Sequence, residues 1–368
     1  MKKILLGTSA LLVAGMVSAT ANAAPVKLSV GGYANWYTGY VDANNHLEEV
    51  RGKNYEHVPV VGEVEVHFKG ETTLQNGLKF GAVIELTGIS GADYDKDTKK
   101  WNGNGVDEDQ SYIYADTAAG RFAIGKMDSI SKQLHKSSKD VGLLDIQGSD
   151  VGKLVPNAGR SVEGISTDIR TMDDDATIAY FSPKFFGVTI AASYSNHDAD
   201  ATHNIEGNNV AYSTVVAYNN TFGKVTLDAD VGYTRYDKDE YLVGLFGTGS
   251  KEYDVNAGFR VGVAGFTVGG GYKYGNGKDS LSDWHTFDAG VAYETGPYGV
   301  SLSYINENIK TDVLGKDDWK TQMVLGSFGY EITEGVKSFA SVAWVGQKGY
   351  TEEKANAYVI AGGLGLTF

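Results

Sequence analysis

Apolar and polar positions alternate along most of this chain. In "EVEVHFKGE" (63–71), Val64, Val66 and Phe68 take every second place, against Glu63, Glu65, His67, Lys69 and Glu71. In "KVTLDADVGY" (224–233), Val225, Leu227, Ala229, Val231 and Tyr233 oppose Lys224, Thr226, Asp228 and Asp230. The chain closes on "NAYVIAGGLGLTF", where Tyr358, Ile360, Leu364, Leu366 and Phe368 share one face and the other holds only small or weakly apolar residues. A period of two is the period of a β-strand, whose successive side chains point to opposite faces. It predicts sixteen strands, at about 26–41, 61–73, 78–88, 110–116, 121–127, 176–181, 187–196, 210–219, 224–236, 252–261, 266–274, 284–294, 299–306, 318–330, 336–347 and 356–368. Hardly any helical stripe is present.

The connections alternate too. "LQNG", "TAAG", "SPKFF", "NTFG", "GVAG", "TGPY" and "ITEG" are short, whereas "DANNHLEEVRGKNYEHVP" and "GADYDKDTKKWNGNGVDE" are long and polar. Short turns at one end and long loops at the other are the layout of a transmembrane antiparallel β-barrel, as is an even strand count. Pro25, Pro59, Pro156, Pro183 and Pro297 all avoid strand interiors, where proline would remove a ladder donor. Phe80, Phe122, Phe222, Phe266 and Phe368 fall near the short turns. Tyr40, Tyr194, Tyr233, Tyr274, Tyr304 and Trp344 fall towards the long loops. Two such belts are expected at the two boundaries of a bilayer. The charged face then lines a wet lumen, and the last strand must pair with the first, because a barrel has no edge.

Composition sharpens this picture. The 48 glycines and 23 tyrosines, with five prolines, favour strands. No cysteine is present, which excludes disulfides, thiolate metal sites and thiol nucleophiles. "MKKILLGTSALLVAGMVSATANA" has the basic, apolar and small-residue parts of a secretory signal, read as 1–23, with a barrel domain over 24–368. Removing Lys2 and Lys3 takes the formal charge from −14 to −16, and an acidic chain does not recruit nucleic acid.

The signal, "LSVGGYANWYTGY", "GEVEVHFKGETTLQNGLKFGAVIEL", "DQSYIYADTAAGRFAIGKMDS", "IAYFSPKFFGVTIAASYS" and the terminal "GLGLTF" resemble Gram-negative porins, most of all the alphaproteobacterial general-diffusion type. The resemblance covers essentially the whole mature chain. It implies an outer-membrane homotrimer among lipid and lipopolysaccharide that passes small hydrophilic solutes and ions. It also implies a third external loop folded into each barrel, and a closing Phe368 read by the assembly machinery. The "PEFGG" stretch of enterobacterial porins is absent from that loop.

The same loop is conspicuous without the resemblance. Residues 128–172 join the fifth and sixth strands, and so long a connection is usually functional or disordered. Leu134, Val141, Leu143, Leu144, Ile146, Leu154 and Val155 give it apolar anchors, which favour packing on the inner wall. Candidates for the narrowest section are Asp128, Lys136, Asp140, Asp145, Asp150, Arg160 and Arg170 of the loop, with Glu65, His67, Lys69 and Glu85 of the wall. Acidic loop groups opposite basic wall groups would set a transverse field, and the surplus of inward acids predicts weak cation preference.

No catalytic or cofactor motif emerges. The histidines form no helical i,i+4 metal pair, and "DYDKDTKKWNGN" has Thr98 and Asn104 where a calcium loop needs Gly and Glu. The sequence therefore predicts no cofactor, and leaves open only loose calcium binding by acidic outer loops. Three other readings compete: a barrel enzyme with a cluster at its rim, a substrate-specific channel with Tyr33, Tyr37 and Tyr112 inward, and a soluble exported β-protein.

Overall fold

The computed structural model describes residues 24–43, 57–88, 93–95, 100–102, 106–147, 150–155, 162, 164–170, 173–196, 210–237, 251–277, 282–311, 318–349 and 354–368. The signal segment 1–23 and Arg160 lie outside the described residues.

Sixteen strands form one closed antiparallel barrel, each paired with its neighbours in sequence. In chain order they are β1 (Lys27–Ala43), β2 (Val60–Thr73), β3 (Lys79–Gly88), β6 (Asp107–Thr117), β7 (Gly120–Met127), β8 (Asp175–Phe181), β9 (Val188–Asn196) and β10 (Val210–Phe222). There follow β11 (Val225–Asp237), β12 (Lys251–Val263), β13 (Phe266–Gly277), β14 (Ser282–Thr295), β15 (Tyr298–Thr311), β16 (Trp319–Thr333), β17 (Val336–Lys348) and β18 (Lys354–Thr367). Each falls on one of the sixteen alternating segments. The alternation did not reveal a small separate ladder between β3 and β6, made of β4 (Asp93–Asp95) and β5 (Lys100–Asn102). Its strands are too short to carry a periodic signal.

Closure is made by β1, which pairs with β2 on one side and β18 on the other. Trp36 lies opposite Leu364, and Tyr40 opposite Ile360. All ladder hydrogen bonds are thereby made inside the wall, the condition for a sheet in hydrocarbon. Trp36, Ile113, Val216, Leu302, Val342 and Ile360 are all exposed on the outside. Aromatic contacts ring both ends: Phe122 with Tyr180 and Phe266 with Tyr293 by the short turns, Tyr194 with Tyr212 and Tyr233 with Tyr253 by the long loops. Side chains of the opposite parity point inward, among them Tyr37, Ala357, Val359 and Ala361, which are buried. That burial inside a barrel has one source, the segment between β7 and β8.

Candidate functional site

This segment runs from Asp128 to Asp174 and is fastened at its two ends to itself. Ser129 caps α1 (Ile130–Leu134), accepting from Lys132 N as Ser/Thr/Asp/Asn caps do. Its hydroxyl donates to Ile169 O at 2.6 Å, and its own N–H donates to Asp173. Lys132 bridges Asp128 (2.6 Å) and Asp173 (2.7 Å). The apolar side of α1 enters a cluster with Val83, Tyr114, Met127 and Val215, so the helix lies against the inner wall.

After α1 the chain is extended and has no strand partner. Buried backbone groups must still be paired, and inward side chains of the far wall do this. Asp230 of β11 accepts from Lys136 N (2.7 Å) and from His135 Nδ1 (2.8 Å). Arg260 of β12 donates to Ser137 O (3.0 Å) and Ser138 O (3.1 Å). Asp288 of β14 accepts from Ser138 N (2.7 Å) and Thr167 Oγ1 (2.6 Å). Ser301 of β15 accepts from Val141 N, and Ser303 donates to Asp140 at 2.6 Å. On the return path Asn256 and Lys273 donate to Thr167 O and Asp168 O.

The wall is also shaped to admit this backbone. A Cβ on Gly258 would stand 1.8 Å from Lys136 O, and one on Gly329 would stand 2.5 Å from Val141 O. Only a missing side chain allows that approach. Further along, Leu144, Ile146 and the apolar residues of α2 (Asp150–Leu154) pack into a cluster with Tyr37 and Val41 of β1, Met323, Phe339, Ala343 and the small face of β18. At roughly 25 cal/mol per Å2 of apolar surface removed from water, this burial favours the inward position strongly. All seven apolar anchors read from the sequence are buried or packed against these clusters.

The free side of the loop faces β2 and β3 across the lumen. Lys153 reaches Glu63 of β2 at 3.4 Å and Asp150 at 3.2 Å. On the wall, Lys69 and Lys79 both serve Glu71, at 3.2 and 2.9 Å. Glu65 and Glu85 flank His67, and among the described residues no lysine or arginine pairs with either. A polar recess of about 600 Å3 opens on the loop, lined in part by Lys132, Lys139, Asp140, Asp145, Arg170 and Arg260. Burial pushes the Asp140 carboxyl above its ordinary range despite Ser303 and Ile146 N. Burial acts the same way on Asp168, but Arg170 at 2.8 Å and Ser166 outweigh it and hold that carboxyl low.

The candidate residues therefore divide. Glu65, His67 and Glu85 come together on the wall; Lys69 turns to Glu71. Asp145 is exposed to the lumen, Asp150 pairs with Lys153, and Arg170 pairs with Asp168. Asp128 and Asp140 serve as fasteners, the first through Lys132 and the second through Ser303 and Ile146 N. Lys136 is anchored through its backbone. Charges of both signs meet across the gap: a loop lysine faces a wall acid, whereas Arg260 of the wall lines the recess that holds the loop acids Asp140 and Asp145, and with Lys273 holds loop carbonyls. Parity says which residues face inward, but not at what height and angle they meet the loop. Asp230, Asn256, Arg260, Lys273 and Asp288 were missed for that reason.

A family model described as Gram-negative porin matches residues 8–350. The chain belongs to that family. Among curated proteins, none matches this porin's sequence. Solved structures similar to this porin include an anion-selective porin from Comamonas acidovorans, at 15% identity and a TM-score of 0.65, covering 93% of this chain and 100% of that one. OmpT of Vibrio cholerae in its trimer form has 11% identity and a TM-score of 0.61 over 93% and 99%. A double mutant of the Rhodopseudomonas blastica porin has 18% identity and a TM-score of 0.53 over 93% and 100%. At such identities the likeness concerns the fold.

Proposed function

We propose that this porin forms a water-filled outer-membrane channel of the alphaproteobacterial general-diffusion type, through which small hydrophilic solutes and ions pass passively with a weak preference for cations. The observation that carries the reading is a charged, wet inner wall faced by a loop fixed across the lumen. The cation preference rests on Glu65 and Glu85, which no described lysine or arginine neutralises. Loop and wall together sort solutes by size and charge.

A homotrimer fits the outer surface. β7 and β8 have only 8 and 7 residues, below the 9–11 that a tilted strand needs to cross the hydrocarbon. Mismatch of this kind is relieved by covering the wall with protein. An apolar groove of about 590 Å3 runs there, lined among others by Phe80, Ala82, Ile113, Phe122 and Ile178. The V. cholerae neighbour is itself described as a trimer form. Phe368 at the closing seam is the residue proposed for recognition by the assembly machinery.

Conductance of the purified protein in a planar bilayer, under a salt gradient, tests the reading. Open steps in groups of three with a small cation-directed reversal potential support it. Insertion without conductance overturns it, in favour of a plugged channel or a barrel enzyme.

A further inference from the structure

We infer that Glu65, His67 and Glu85 form a binding site for a divalent transition-metal ion of the zinc class on the lumen wall. One ligand atom from each residue lies within 4.8 Å of the other two. The strand geometry dictates the grouping. Glu65 and His67 are two apart on β2 and share the inner face, while Glu85 is the register partner of His67 on β3. His67 Nε2 is 2.9 Å from Glu65 Oε2, and His67 Nδ1 is 4.0 Å from Glu85 Oε1.

The donor set is selective. One imidazole and two carboxylates supply three of the nitrogen and oxygen donors that zinc accepts, with a fourth position open to water. Imidazole favours zinc and copper over magnesium or calcium. Drawing the donors to about 2.0–2.2 Å from a common ion asks only for side-chain rotation, since the His67 side chain is 35% exposed. The surroundings support the ligands. Gln110 Nε2 donates to Glu85 Oε2 at 2.8 Å, which orients that carboxylate as outer partners of metal ligands do. Tyr33, the register partner of Glu65, sets its ring edge against His67 at 6.1 Å. Lys69, two residues from His67 on the same face of β2, is engaged by Glu71. A search for helical spacing cannot find this site, because its ligands are spaced for a sheet. A bound ion would add positive charge to the wall that carries the cation preference, so zinc would throttle cation flow.

The test is equilibrium dialysis of zinc chloride against the detergent-solubilised full chain, with zinc-dependent conductance as a second readout. Folding of each variant is checked by heat-modifiable gel migration. One zinc per chain is expected, bound at least tenfold more weakly by His67→Gln and Glu85→Gln, with magnesium failing to compete. Gln110→Ala is expected to weaken binding about tenfold. Zinc lowers the conductance and a chelator restores it. No zinc bound to folded wild type, or equal binding by folded His67→Gln, overturns the site. The inference rests on the channel reading only for the conductance effect: zinc bound by a barrel that does not conduct upholds the site and removes that reading.

Discussion

Gly32 and Phe368 exchange two backbone hydrogen bonds, of 2.9 and 3.0 Å, at the seam where the chain's first and last strands meet. A Cβ on Gly32 would stand 2.2 Å from Glu65 O and 3.1 Å from the Phe368 ring. Gly32→Val is expected to destabilise the closed barrel by about 2 kcal/mol or more, the scale of overpacking a tight site. The readout is the temperature at which the folded gel band gives way to the unfolded one, which should fall.

Phe368→Ala keeps those two backbone bonds and removes only the ring. Refolding in detergent should proceed nearly as in wild type, whereas the amount assembled in the outer membrane of cells should drop several-fold. Equal losses in both assays would mean that the ring serves closure and not recognition.

Asp288 holds two strands of the loop at once, through Ser138 N and Thr167 Oγ1. Asp288→Ala leaves both donors without their acceptor, at a cost of about 1–3 kcal/mol for each buried group left unpaired. The loop should become susceptible to limited proteolysis between residues 135 and 170, and single-channel current should grow noisier.

The strands were legible because lipid outside and water inside impose period two on every one of them. The loop was legible as packed, because Leu144, Ile146 and Leu154 have no place in a solvated tail. What joins them was not. Asp230, Asp288 and Arg260 read as ordinary lumen residues until the barrel closes and brings them against residues about 95 to 150 positions away. Gly258 and Gly329 were counted as part of a strand-rich composition, and nothing local marks them as the bed of another segment. Asp140 looked like a pore charge because its serine partners lie on β15.

Asp174 supplies a pH dependence. Burial, then the charges of Asp109, Asp173 and Asp128, push its carboxyl from 3.8 to about 7, and its Oδ1 has no hydrogen-bond partner among the described residues. The folded chain thus holds this proton more tightly than the unfolded one. Its contribution to stability is full below about pH 4 and is lost as the pH rises through 7. Asp174→Asn removes the charge and suits the left-handed backbone found there, φ 59°. The variant should unfold at a higher temperature than wild type at pH 8 and show a flatter melting profile between pH 4.5 and 8.

Glu65→Gln and Glu85→Gln each delete one wall charge and keep the shape. Each should move the reversal potential towards zero, and the double variant should move it further. A shift in the cation-selective direction would contradict the charge assignment.

The apolar residues of the loop lie across the seam from within: Leu144 and Ile146 touch the same cluster as Tyr37 and Val41 of β1 and Ala357 and Val359 of β18. The first and last strands are thus joined twice, by the ladder between them and by a third segment that comes from mid-sequence. Such a segment works as a clasp. It can fasten only when both ends of the chain have arrived, so the sealing of the wall and the narrowing of the passage become a single late event in assembly. A barrel that has not finished closing would have neither a tight seam nor a defined bore, and no wide-open intermediate would be left standing in the membrane.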